Sequence, residues 1–542
     1  MGPASDAPSA SDLAQLIEEY IAAHPQAAVL EDGRVVFELR TAQYTVKDNH
    51  GRCVLQLWND ERNLLRTVVE VRERAGALRL VTRRMGAPRT QMLEIVSSSN
   101  RRTPTTRDTS RRNYQRLLER VLARTFIGAK LDGFRSAMDL EHSFGPAYIR
   151  GRLLRGTAAE AVIGVSSAES TAIIDGILTL GILWLDYCRQ HSDGRRHFGG
   201  LKVIVPADAW RTTAERMAWL NHAAADFQLF TLDEKSEEIT QVDFRDIGNI
   251  ESHLIQAFSP DAALARCQPG IDRFLALVPA AARHRIEIRP RSSTEVSLLL
   301  HGLDFARVRH AASAQSFSYE DELTFGAGPS ETPLTAESEP LARELFTQLF
   351  ASRHPEGLKT NPLFRLQPER WLESRLRTAM SELMPDLRAD LLCSQVPAIS
   401  RGDRGMLDLL TLDRNARLTI LELKAEEDLH LPMQALDYWI RVRALNADRK
   451  PASGSTEPLS AFTRAGYFLG EEVSPQPPRL LLAAPALRIH PANEPVLRYF
   501  SPEIAWELIA LSEHWRSELK IVFRKRSGEV YGLQPVLHRA TP

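Results

Sequence analysis

Two apolar runs joined by a short polar turn constrain this chain more than any other feature. Met406–Leu412 and Leu418–Lys424 flank the turn Asp413 to Arg417. Short runs rich in Leu and Ile, bounded by turn residues, suit strands buried on both faces of a sheet. A hairpin symmetric about Asn415 sets Asp408 directly opposite Glu422, and such cross-strand partners have Cβ atoms about 4.5–5.5 Å apart. Lys424 lies two residues beyond Glu422 and so points to the same face. Two carboxylates and an ammonium therefore meet among Leu407, Leu409, Leu421 and Leu423. Buried carboxylates are costly unless a cation compensates them. Mg²⁺, a hard ion with oxygen ligands that keeps several waters, is the natural partner. In phosphodiester hydrolysis such an ion generates hydroxide and neutralises charge on the phosphate. Lys424 is then placed to orient or deprotonate the attacking water, or to stabilise the transition state.

The bare E-x-K string is cheap. Glu518-Leu519-Lys520 repeats it, and Asp233-Glu234-Lys235 and Asp448-Arg449-Lys450 are D-x-K strings. None of these ends an apolar strand whose hairpin partner carries an Asp in matching register.

Four pieces in order resemble the PD-(D/E)xK endonuclease superfamily, and within it the NucS-type nucleases. They are Trp371-Leu372-Glu373 on a helix, Arg404-Gly405-Met406-Leu407-Asp408-Leu409-Leu410, Glu422-Leu423-Lys424, and a following helix with Gln434 and Tyr438. The similarity covers roughly residues 365–525. It implies a restriction-endonuclease-like αβα core binding one or two Mg²⁺ or Mn²⁺ ions. Asp408 and Glu422 would be the metal ligands, Lys424 the catalytic lysine, Glu373 an accessory acid, and Gln434 and Tyr438 supports of substrate or site. The superfamily's Pro before the Asp is replaced by Leu407. Each accessory residue also has a plain reading: Glu373 as a helix-surface acid, Gln434 and Tyr438 as cover for the sheet. Arg401 and Arg404 either bind phosphate or solvate a loop. Gln395, on the preceding strand, falls near the site with a signal too weak to assign it, and the lone His430 and His490 read as structural.

At 542 residues the chain is too long for one core. The expected class is α/β, α+β overall, in four parts. Residues 1–112 hold an N-terminal helix and a basic β-rich domain, 113–245 an α/β unit, 246–340 a second β-rich domain and linker, and 341–542 the nuclease-like domain. The order of elements repeats between the halves, which reads as a tandem duplication with 113–245 as a degenerate nuclease-like copy. On that alignment Glu141 matches Glu373, and Gly164 and Ser166 stand at the E-x-K position, so that copy holds no metal. Helical segments are expected from Tyr114 to His142, over 171–190, over 211–225 and across 502–514.

The net charge of −1 hides an uneven distribution: residues 52–116 carry fifteen Arg against six Asp or Glu. Such a strip is either a phosphate footprint or a solvated face. The scattered Cys53, Cys188, Cys267 and Cys393 suggest neither zinc nor disulfides. The longest apolar run, Ala172 to Leu185, contains Asp175 and is too short to span a bilayer. A cytoplasmic protein without membrane contact is expected. Its partners would be nucleic acid, DNA first, a second copy of the chain as a homodimer, and a separate motor or repair or defence protein, since no Walker A string is present. A DNA endonuclease of repair or defence is the leading function. The alternatives are a catalytically silent nucleic-acid-binding scaffold and an α/β protein whose acids hold a structural cation.

Overall fold

A computed structural model describes residues 9–528 apart from 32–33, 41, 50, 59–62, 75–76, 84–89, 98–103, 138, 140–142, 193, 247, 249–251, 313–318, 328–330, 401–402 and 452–457. Glu141 and Arg401 lie outside the described residues. The fold is mixed, with helices and several sheets, and the chain divides near residue 247 into two compact units.

In the first unit, alternation along Cys53–Trp58 turns Cys53, Leu55 and Leu57 inward. They belong to a seven-stranded antiparallel sheet that packs on helix Ala10–Ala23 through Ile17, Tyr20 and Ile21. Ser9 caps that helix in a capping box with Asp12. Helix Pro104–Thr125 follows, crossing the expected boundary at 112/113. It leads into a six-stranded sheet in which Ala158–Val165, His197–Pro206 and Asp226–Asp233 run parallel. Tyr148–Arg155 and Lys130–Arg135 extend it antiparallel on one side, and Glu238–Val242 on the other. Helix Thr171–Asp175 continues after Gly176 as Ile177–Gln190. This 20-residue stretch is long and apolar enough to cross a membrane, but 61% of its most apolar window is buried inside the unit.

The second unit repeats this order. Helix Pro260–Leu277 packs on a five-stranded antiparallel sheet through Cys267, Ile271 and Phe274. Helix Pro368–Leu383 then covers one face of a seven-stranded sheet, with Trp371, Leu372, Leu376 and Met380 against Leu409, Leu421, Leu423, Leu481 and Ile509. Leu418–Leu423, Arg479–Pro485 and Ala505–Leu511 run parallel. Asp403–Leu412 and Cys393–Ser400 extend the sheet antiparallel on one side, and Ile521–Arg526 on the other. Helix Leu431–Ala447 packs on Leu418–Leu423 and Arg479–Pro485 from the other face. The short strand Ser252–Leu254, expected in the second β-rich domain, pairs with Cys393–Ser400 and belongs to this sheet.

The five-stranded sheet is riveted to helix Pro368–Leu383. Arg353, wholly buried, donates to the carbonyls of Leu300, His301, Leu363 and Leu366, and its guanidinium lies 4.7 Å from the Trp371 ring centroid. His301 stacks on the same indole. Gly302, at φ +75°, sits so close that a Cβ there would lie 2.0 Å from the Arg370 carbonyl oxygen.

Candidate active site

The hairpin has the register expected from its sequence: Leu409 pairs with Leu421 and Leu412 with Leu418. Asp413 fixes the turn by accepting hydrogen bonds from the Asn415 and Arg417 amides, and Ala416 takes a left-handed conformation. One residue beyond the last pair, Asp408 stands opposite Glu422, and Asp408 Oδ2 accepts from the Leu423 amide at 3.0 Å. Glu422 is 2% exposed, and its Oε2 is buried without a hydrogen-bond partner.

Burial pushes the Asp408 carboxyl up to about 6. The Leu423 amide opposes that rise, and the nearby Glu373 adds to it. Glu422 is held well above the usual carboxylate range, by burial first and by Asp408 second. Lys424 favours the ionised form of both. Its own ion pair is with Asp428, 3.5 Å away. Tyr438, from helix Leu431–Ala447, shares a side-chain hydrogen bond with Gln434. Burial and then the charge of Glu422 raise its phenol pKa. Asp408, Glu422, Lys424 and Tyr438 thus act on one another electrostatically, with Gln434 bound to the tyrosine.

Glu373 occupies a different place from a free accessory acid. It is 2% exposed and both oxygens are engaged. Oε1 accepts from Arg289 at 3.0 Å, and Oε2 accepts from Arg370 at 3.2 Å and from Gln395 at 2.9 Å. The Gln395 amide also reaches Asp408 Oδ1 at 3.4 Å. Gln395 interrupts its ladder between Ser394↔Leu409 and Val396↔Leu407, with a left-handed backbone at φ +55°. Non-glycine residues held in that region concentrate at functional sites.

Gln395, Arg289 and Arg370 carry no motif, and tertiary packing alone brings them here. An arginine in the strand Ile286–Ser292 is indistinguishable in sequence from the solvated arginines around it.

The sheet of the first unit has the same order and directions across its six strands, so positions compare directly. Val203 and Leu482 each lie three residues before a strand-ending proline, Pro206 and Pro485. Val203 neighbours Ile163, which pairs with Arg150; Leu482 neighbours Glu422. Arg150 therefore stands in the place of Asp408, Ile163 in that of Glu422, and Val165 in that of Lys424. Trp184 lies as far into helix Ile177–Gln190 as Tyr438 does into Leu431–Ala447. Gly164, aligned with Glu422 by sequence, instead turns toward Tyr114 and Leu118 on the opposite face. Matching Pro206 with Pro485 thus places Ile163, one residue from the sequence-aligned Gly164, at the Glu422 position. Arg150 is fully buried between Phe144 and Trp184, its guanidinium 4.3 Å from the Phe144 ring centroid, and it donates to the carbonyls of Ala137 and Gly145.

In the basic strip several arginines are already neutralised. Arg66 pairs with Glu31, Arg79 with Glu94 and Arg111 with Glu169, each at 2.8 Å. The four cysteines are free thiols.

No protein-family model matches the chain, and no curated protein matches it.

Proposed function

We propose that the second unit is a divalent-metal-dependent nuclease of the PD-(D/E)xK type, cutting phosphodiester bonds in DNA as an endonuclease of repair or defence. The observation that carries this reading is the facing pair of partly buried Asp408 and buried Glu422, with a carboxylate oxygen of Glu422 left without a partner. Two adjacent carboxylates so shielded from water resist ionising together, and a cation between them removes that penalty. The donor set fits Mg²⁺ or Mn²⁺. Among the described residues no group of three or more His, Cys, Asp or Glu is placed to hold a metal, so the reading rests on the two carboxylates alone. Mg²⁺ is commonly held by one or two carboxylates, with water and substrate phosphate completing its shell. Such an ion, once bound, supplies Lewis acidity and an activated water. The chain supplies the rest: Lys424 offers a cation for the phosphate or a proton acceptor for the water, and Gln434 steadies the Tyr438 hydroxyl beside Glu422.

The first unit reads as a silent copy of the same fold, since a guanidinium occupies the place of the first carboxylate. A second reading, a nucleic-acid-binding scaffold that does not cut, draws on Glu373, whose engaged oxygens leave two acids rather than three for a cation.

Incubating the full chain with plasmid DNA and Mg²⁺, beside Glu422→Ala and Lys424→Ala, separates the two. Cleavage by wild type and a loss of at least 100-fold in each variant is expected. Salt-sensitive binding without cutting would favour the scaffold.

A further inference from the structure

We infer that Arg289, contributed by the five-stranded sheet, is a positioning residue for the carboxylate pair, acting through Glu373 and Gln395. This rests on the nuclease reading above. Arg289 is 8% exposed and donates to Glu373 Oε1 at 3.0 Å; its Nε–H donates to Glu287 Oε1 at 2.9 Å. Arg377, on the helix that carries Glu373, also pairs with Glu287. The guanidinium is thereby held from both sides and cannot swing away from Glu373. Glu373 in turn fixes the Gln395 amide at 2.9 Å, and that amide donates onward to Asp408.

The order of these contacts matters. A carboxamide can rotate to present either its oxygen or its NH₂ group. Glu373 Oε1 accepts from Arg289, and Oε2 from Arg370 and Gln395, so Gln395 turns its NH₂ group to that oxygen and no two acceptors meet. Arg289 and Arg370 hold the Glu373 carboxyl in place, so the orientation of Gln395 follows from them. Asp408 Oδ1 then accepts from Gln395 and Oδ2 from the Leu423 amide, which fixes the carboxylate plane. Groups that orient a metal-binding carboxylate typically contribute 10–100-fold to metal affinity. The rivet at Arg353, His301 and Gly302 holds the five-stranded sheet where Arg289 can make this contact. The site is therefore composite: its ligands lie on one sheet, and the charge that orders them comes from another.

The test is a mutant cycle on the full chain, read by Mn²⁺ calorimetry and by kcat and KM for cleavage, with folding checked by circular dichroism. Arg289→Met is expected to weaken Mn²⁺ binding 10–100-fold and lower kcat with KM little changed. Arg289→Lys, which retains the charge, is expected to restore part of the loss. In a Glu373→Gln background, Arg289→Met is expected to add less than threefold, since the effect passes through that acid. Full additivity of the two substitutions would overturn the inference, as would Arg289→Met binding Mn²⁺ like wild type. If wild type itself binds no Mn²⁺ and cuts nothing, the nuclease reading fails first and takes this inference with it. The two failures are distinguishable by which protein loses function.

Discussion

Asp408 and Glu422 illustrate a site held in a state that folding alone would not choose. The Asp408 carboxyl sits at about 6, against 3.8 in an unstructured chain. A carboxyl whose folded-state pKa is raised binds its proton more tightly in the native protein. Its contribution to stability is therefore full below pH 3.8, declines as pH rises to about 6, and stays reduced above that. The difference corresponds to about 3 kcal/mol at neutral pH without metal. Replacing the ionisable group by an amide removes that penalty but turns an NH₂ against one of the two donors that Asp408 accepts from. In metal-free protein, Asp408→Asn is therefore expected to be less stable than wild type at pH 4, with the difference shifting in the variant's favour by several degrees in melting temperature at pH 7.5. Differential scanning calorimetry at both values checks this, and a difference that does not change with pH would refute it. The same variant should lose the stabilisation that Mn²⁺ gives wild type, the usual opposition of stability and function at a charged site.

At the scale of single elements, the strand Cys393–Ser400 shows how much one backbone angle can decide. The left-handed angle at Gln395 costs about 1–2 kcal/mol for an L-residue. It places the amide between Glu373 and Asp408. Gln395→Gly relieves that strain but gives the unfolded chain more freedom, at about 0.5–1 kcal/mol. Its stability is expected to stay within about 1 kcal/mol of wild type in urea denaturation, while Mn²⁺ affinity falls tenfold or more. An unchanged affinity would show that the Gln395 amide does not order Asp408, and would count against Arg289 acting through it. What the sequence makes legible follows the same division. Helix Pro368–Leu383 is readable from its apolar stripe, and the hairpin register from the symmetry of its turn. The segment 502–514 reads as a helix because Ala-Trp-Glu-Leu-Ile-Ala-Leu has no period-2 alternation. It is instead the strand Ala505–Leu511, its last six residues buried. Lys130–Arg135 and Tyr148–Arg155 were hidden for the opposite reason, since charged residues break their apolar pattern. The Asp408, Glu422 and Lys424 cluster could be read because a hairpin register ties its members together. Gln395 lies just as near in sequence but belongs to no pattern that assigns it a role, and Arg289 could not be read because its partner Glu373 is 84 residues away.

Over the whole molecule, two units share one order of helices and sheets but carry opposite charge at corresponding interior positions. Burial lowers the Arg150 pKa to about 10, which leaves it protonated at neutral pH. Its removal would strand the carbonyls of Ala137 and Gly145, at about 1–3 kcal/mol for a group left unsatisfied. Arg150→Met is therefore expected to lower the unfolding transition of the first unit, while Mn²⁺ affinity and plasmid cleavage stay at wild-type levels. Calorimetry and the cleavage assay together check this, and a loss of cleavage in a folded variant would assign the first unit a direct part in the chemistry. Arg150 also bears on what happens when divalent ions are scarce. The first unit holds its cation on a covalent tether, so nothing in its surroundings decides whether that charge is present. On the function proposed above, the second unit takes its cation from solution. Under chelation a protease is then expected to find the second half of the chain opening more often than the first, and metal supply would set how long each half survives.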